Sequence, residues 1–137
     1  MSLQQADIVK YGFSILQVET MSLCNMQCDF CGYPLRRDKT SVLPEEIVLK
    51  VIDSISVTDD FNYICLSQFN EPLLDKRIYK FIKYAKGRKM PVMIITNGLL
   101  FDSKEVRDRL IDTSPDYIKI SMQVLNPCLF SRVRKTG

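Results

Sequence analysis

Short apolar runs alternate with helix-period segments along this 137-residue chain. That alternation constrains the fold more than any other feature. Ile15–Thr20, Tyr63–Ser67, Pro91–Thr96 and Tyr117–Met122 read as strands. Pro44-Glu45-Glu46 opens a helix, with proline at the first position and acids facing the positive helix end. Ile47, Val48, Val51, Ile52 and Ile55 form its apolar stripe. Ile78, Phe81, Ile82 and Ala85 line a second helix, placed for Gly87 to end it in the left-handed conformation. Asp102 and Glu105 have capping-box spacing for a third helix with Val106 and Leu110 inward. Asn126-Pro127 reads as the cap and first turn of a fourth. The β-α-β-α-β-α-β-α order predicts parallel strands joined by right-handed crossovers. A doubly wound sheet and part of a β/α barrel both satisfy it, whereas a closed eight-strand barrel needs ~250 residues. In either architecture binding groups gather at the carboxyl ends of the strands.

The composition, 46% hydrophobic and 26% charged, is that of a globular domain. A net charge of +3 is too mild for a nucleic-acid binder, and Lys83, Lys86, Arg88 and Lys89 read as a solvated helix end. No apolar run approaches the ~18 residues of a membrane span. Residues 1–10 lack the pattern of a secretory signal. A cytoplasmic, reducing setting is therefore expected, where clustered cysteines bind metal or do redox work more often than they form disulfides. The chain has no histidine, which removes Cys₂His₂ zinc sites, Cys–His dyads and Ser–His–Asp triads.

Cys24-Asn25-Met26-Gln27-Cys28-Asp29-Phe30-Cys31 follows the first strand. Three thiolates so close can converge on one metal centre, and an all-cysteine set favours zinc or iron–sulfur. On a four-iron cubane, three protein thiolates leave one iron open, as a reactive site requires. Zinc with Cys65 or Cys128 as fourth ligand is the competing reading. Otherwise Cys65 reads as a buried hydrophobe and Cys128 as a free thiol on a helix's first turn.

With an aromatic before its third cysteine, this Cys-x₃-Cys-x₂-Cys loop resembles the signature of the radical S-adenosylmethionine (radical SAM) family. The likeness continues through Val18-Glu19-Thr20, Phe69-Asn70-Glu71-Pro72-Leu73-Leu74, Thr96-Asn97-Gly98, Ile118–Gln123 with its Ser121, and Arg132-Val133-Arg134. Among relatives it looks closest to enzymes with a C-terminal, SPASM-type extension carrying further clusters. The resemblance implies a partial, incomplete β/α TIM-like barrel with about four parallel strands. It implies a [4Fe–4S] cluster on Cys24, Cys28 and Cys31, with S-adenosylmethionine (SAM) on the open iron. Reductive cleavage of SAM then gives a 5′-deoxyadenosyl radical that abstracts a substrate hydrogen.

Phe30, Asn70, Glu71, Asn97, Ser121 and Arg134 are the SAM-binding candidates. Glu71 would accept from the methionyl ammonium, Phe30 lie against adenine, Ser121 bond the ribose and Arg134 pair with the carboxylate. Against these stand plainer roles: a solvated acid for Glu71, core packing for Phe30, a surface charge for Arg134 and a turn residue for Asn97. Phe69-Asn70 departs from the family's paired glycines, which let backbone approach the ligand closely. The implied partners are an unidentified substrate and an external flavodoxin- or ferredoxin-like one-electron donor. Residues 1–13 are expected as a lead-in and 14–137 as a truncated core domain, since relatives add two more strands. A sheet ending on an exposed fourth strand is prone to association. The alternatives are a non-catalytic iron–sulfur or zinc interaction module, and an inactive fragment.

Overall fold

The computed structural model describes residues 14–55, 57 and 61–135; the expected lead-in, 1–13, lies outside them. Four parallel strands form one sheet: β1 (Ile15–Gln17), β2 (Tyr63–Cys65), β3 (Val92–Thr96) and β4 (Tyr117–Ile120). Four α-helices alternate with them: α1 (Glu45–Asp53), α2 (Ile78–Gly87), α3 (Lys104–Asp112) and α4 (Pro127–Val133). Strand order is β1-β2-β3-β4. A doubly wound sheet reverses its order at a switch point, whereas a barrel adds each strand beside the last. The order therefore selects the barrel winding, left open here as a partial one.

The core lies between the sheet and the first helices. Ile78, Phe81, Ile82 and Ala85 recur at helical spacing and are all fully buried, packed with Val48 and Ile52 of α1 and with Ile64, Val92 and Ile94 of the sheet. Along β3, Val92, Ile94 and Thr96 are buried, while Met93 and Ile95 on the other face are half-covered. All four residues of β4 are exposed, Tyr117, Ile118 and Ile120 among them. Phe81→Ala removes a fully enclosed ring from the centre of this cluster. It is expected to cost about 3–5 kcal/mol, read from urea denaturation; a loss below about 1 kcal/mol would contradict the packing described.

Several local expectations shift. Pro44 is the residue before α1 rather than its first. Gly87 is the last residue of α2, and the left-handed position falls on Lys89 at φ 58°. Met90 N–H bonds Ala85 O at 3.1 Å and Lys89 N–H bonds Lys86 O at 2.9 Å, the paired closure of a Schellman cap. Met90, buried beyond the turn, sets where that cap forms. The Asp102–Glu105 capping box is not made. Residues Leu99–Asp102 wind as a 3-10 turn, Ser103 caps α3 by accepting from Val106 N–H at 3.4 Å, and Glu105 pairs with Arg109 instead. Leu110 is buried and Val106 partly so, as expected of α3's inner face. Asn126 caps α4 as read, accepting from Cys128 and Leu129 N–H.

The basic stretch is matched by acids: Lys83 with Asp112, Lys86 with Asp116, and Arg88 with Asp53. Among the described residues no helix is long and apolar enough to cross a membrane.

Candidate functional site

The carboxyl end of β3 and the segments that follow β1, β2 and β4 line one cleft. Cys24, Cys28 and Cys31 line it, and so do Phe30, Asn70, Glu71, Asn97, Ser121 and Arg134. The topology thus brings together every site candidate read from the sequence. Cys65 and Cys128 are not among the cleft's lining. Cys65 is fully buried in β2 beside Ser67, and Cys128 is an exposed free thiol on α4.

The cysteine loop is held from three sides. Leu23 O accepts Glu71 N–H at 3.0 Å. Asn25 Oδ1 accepts Asn97 Nδ2 at 2.7 Å. Gln27 N–H bonds Lys135 O at 2.6 Å and Asp29 N–H bonds Val133 O at 3.0 Å, reinforced by a Lys135–Asp29 ion pair at 2.6 Å. Within the loop, Cys31 N–H closes a turn on Cys28 O at 3.1 Å, and Tyr33 N–H points at Cys31 Sγ at 3.4 Å. Burial pushes the Cys24 thiol's pKa up, and Glu71, Cys28 and Cys31 nearby add to the rise against a lowering bond from Met26 N–H. Among the described residues no three His, Cys, Asp or Glu side chains converge on a single-ion site. One zinc about 2.3 Å from each sulfur would need the three sulfurs within about 4 Å of one another.

Behind this loop a clamp fixes the chain leaving β1. Arg77 bonds both Asp75 oxygens, at 2.9 and 2.8 Å, and reaches Leu43 O and Thr20 O at 2.9 and 3.2 Å. Burial raises the Asp75 carboxyl, but the bonds from Arg77 outweigh it and hold the group below the usual carboxylate range. A depressed folded pKa contributes stability above the unfolded value of about 3.9, lost as pH falls through the folded value. Asp75→Asn is therefore expected to melt below wild type at pH 7, with the gap closing below about pH 4. Thermal melts across that range test it; a gap independent of pH contradicts it.

Glu71 is the buried centre of the cleft, 1% exposed. Its Oε1 accepts from Thr96 Oγ1 at 2.7 Å and Leu73 N–H at 3.2 Å, its Oε2 from Asn97 N–H at 2.7 Å. Burial raises its pKa; the bonds from Asn97, Thr96 and Leu73 and the charge of Arg134 offset this only in part. A carboxylate has about four lone-pair sites, so three donors leave capacity towards the cleft.

Two residues that line the cleft also carry a buried donor without a partner among the described residues, Asn70 Nδ2 and Arg134 Nε. Asn70 Oδ1 accepts Gln68 N–H at 3.0 Å, which orients its amide. Arg134, 4% exposed, is buried over the Phe130 ring, with one nitrogen 3.0 Å from Gln123 Oε1 and another 3.4 Å from Met26 Sδ. It is not a surface charge. Phe30 is half-exposed at the mouth rather than in the core.

The Phe69 ring lies against Gly32, where an added Cβ would stand 3.6 Å away, so the residues replacing the paired glycines build one wall of the cleft. Gly98 turns the chain at φ 81°, with Ile120 Cγ2 3.1 Å from any added Cβ. Sequence reasoning missed Asn25, Met26, Thr96 and Gln123 as residues that position or line the site. All four stood inside motifs read for other residues: Thr96 for its asparagine, Asn25 and Met26 for the cysteines, and Gln123 for Ser121.

Fold and site define a class: a sequentially wound parallel β/α protein whose strand ends gather three thiols around a buried carboxylate. The family model of the Radical SAM superfamily matches residues 18–136, and the chain belongs to that superfamily. It is 29% identical over 134 residues to a probable GTP 3′,8-cyclase of Methanocaldococcus jannaschii, covering 93% of this chain and 43% of that protein. It is also 29% identical over 112 residues to a PqqA peptide cyclase of Granulibacter bethesdensis, covering 79% of this chain and 28% of the relative. The chain thus spans less than half the length of these curated relatives, which are enzymes by name. Among solved structures, BtrN in complex with AdoMet and 2-DOIA superposes with a TM-score of 0.69 at 23% identity, covering 83% of this chain and 47% of that one. TYW1 with a lysine-pyruvate adduct gives 0.63 at 16%, covering 90% and 47%. At such identities the likeness is one of fold.

Proposed function

We propose that Cys24, Cys28 and Cys31 hold a [4Fe–4S] cluster and that the adjoining cleft binds SAM for reductive cleavage, the opening step of hydrogen abstraction from a substrate. One observation carries the reading: the residues that line the cleft beside the three thiols include a buried carboxylate with spare capacity and two side chains each with a buried donor still without a partner. That is the complement of a zwitterion. Glu71 would take the methionyl ammonium, while Arg134 Nε and Asn70 Nδ2 would take the carboxylate. Phe30, with its ring half-open to solvent, would cover the adenine, and Ser121 would face the ribose. Asn97 acts mainly through Glu71 and Asn25, since its backbone N–H, its Oδ1 and one amide hydrogen are already engaged. Three thiols that line one cleft could each meet a different iron of such a cluster.

When bound, the cluster would supply the single electron that splits the carbon–sulfur bond of SAM. The residues here would bind and orient SAM. The electron comes from an external flavodoxin- or ferredoxin-like donor, and the setting is a reducing, cytoplasmic one. The test is anaerobic reconstitution with iron and sulfide, followed by equilibrium dialysis against labelled SAM. The reading expects a brown protein with about four irons per chain that retains SAM. Colourless protein holding zinc tightly and retaining no SAM refutes it.

A further inference from the structure

Asn25 lies between the first cysteine and Met26 and does not itself line the cleft. Its side chain nevertheless meets Asn97, 72 residues away, at 2.7 Å. Asn97 is the junction of the site. Its backbone N–H holds Glu71 Oε2 at 2.7 Å, and its Oδ1 accepts Leu99 N–H at 2.9 Å. That second bond fixes which way the Asn97 amide points: Nδ2 must face Asn25, and Asn25 must present its oxygen.

We infer that Asn25 is a positioning residue: its side-chain oxygen, taken by Asn97, sets the register of the cysteine loop against the carboxylate of Glu71. The inference rests on the reading of the cleft given above. A ligand held at once by the cysteine-bound centre and by Glu71 needs their separation fixed to within about 0.5 Å. The other ties on the loop are backbone bonds from Glu71, Gln27 and Asp29, the Lys135–Asp29 ion pair and the Arg134–Met26 contact, none of which involves the Asn25 side chain. The pair therefore tunes placement, while those bonds keep the loop folded.

The test compares Asn25→Ala, which removes the acceptor, with Asn25→Asp, which keeps it. Two readouts are used. One is the SAM dissociation constant of the reconstituted protein. The other is amide hydrogen exchange of the metal-free protein at Asn97, Leu99, Gln27 and Asp29. Loss of one hydrogen bond predicts that Asn25→Ala weakens SAM binding by about five- to tenfold, with iron content unchanged. It also predicts faster exchange at Asn97 and Leu99, unchanged exchange at Gln27 and Asp29, and wild-type protection in Asn25→Asp.

Wild-type exchange at Asn97 and Leu99 in Asn25→Ala overturns the inference. So does exchange in Asn25→Asp as fast as in the alanine variant, because the acceptor would then not matter. So does equal SAM affinity of Asn25→Ala and wild type. Should wild-type protein bind neither cluster nor SAM, the functional reading falls, and the exchange data on metal-free protein still decide whether the Asn25–Asn97 bond sets the loop's register.

Discussion

Cys28→Ala is expected to leave the protein without a stable cluster, dropping iron after anaerobic reconstitution from about four per chain to well under one. Cys28 is the most buried of the three loop cysteines, and its carbonyl accepts the Cys31 N–H that turns the loop. Alanine keeps that backbone bond and removes only the sulfur, so the loss falls on the metal and not on the fold. Cys128→Ala is the control, since its thiol is exposed on α4 away from the cleft. Iron and sulfide analysis of the two variants checks the assignment. Full iron in Cys28→Ala, or its loss in Cys128→Ala, would show that other thiols hold the metal.

The second large effect is on SAM. Glu71→Ala is expected to raise its dissociation constant by roughly 10- to 100-fold, because hydrogen bonds to charged groups contribute about 1.5–3 kcal/mol. It also strands Thr96 Oγ1 and the N–H groups of Leu73 and Asn97, each of which now bonds the carboxylate. A stability loss of about 1–3 kcal/mol accompanies the binding defect. Equilibrium dialysis and urea denaturation on the same preparations separate the two. SAM affinity unchanged in a folded Glu71→Ala protein would mean that this carboxylate braces the strand ends and does not meet the ligand.

The architecture was legible because its signals are local. An apolar stripe such as Ile78–Phe81–Ile82–Ala85 or a strand such as Pro91–Thr96 declares itself within a few residues. Strand order was not legible, since sequential and reversed winding use the same alternation. The strands also end earlier than read, β1 at Gln17, β2 at Cys65 and β4 at Ile120, although Val18 and Leu66 N–H still bond the Cys65 and Met93 carbonyls of the neighbouring strands. Gly87 misled for a similar reason. A glycine near a helix end suggests the left-handed residue, yet burial of Met90 placed that conformation on Lys89.

At the site, the cysteines were visible through spacing and residue type, and Glu71 through the resemblance of its segment to the family's. Asn25 and Met26 were not, because what gives each its role lies far along the chain, and Gln123 acquires its role only when folding buries Arg134. Asn25 finds Asn97, and Met26 finds Arg134, which is 108 residues on. Arg134 itself shows the limit from the other side. Its position matched a family pattern, but only folding shows a buried guanidinium with one nitrogen still to be satisfied.

The most direct test is electron paramagnetic resonance of the reduced, reconstituted protein before and after SAM is added. A vacant iron beside Glu71 predicts that SAM changes the line shape of the cluster signal. It predicts a much weaker change in Glu71→Ala at the same concentration. A cluster signal that saturating SAM leaves untouched would contradict the account.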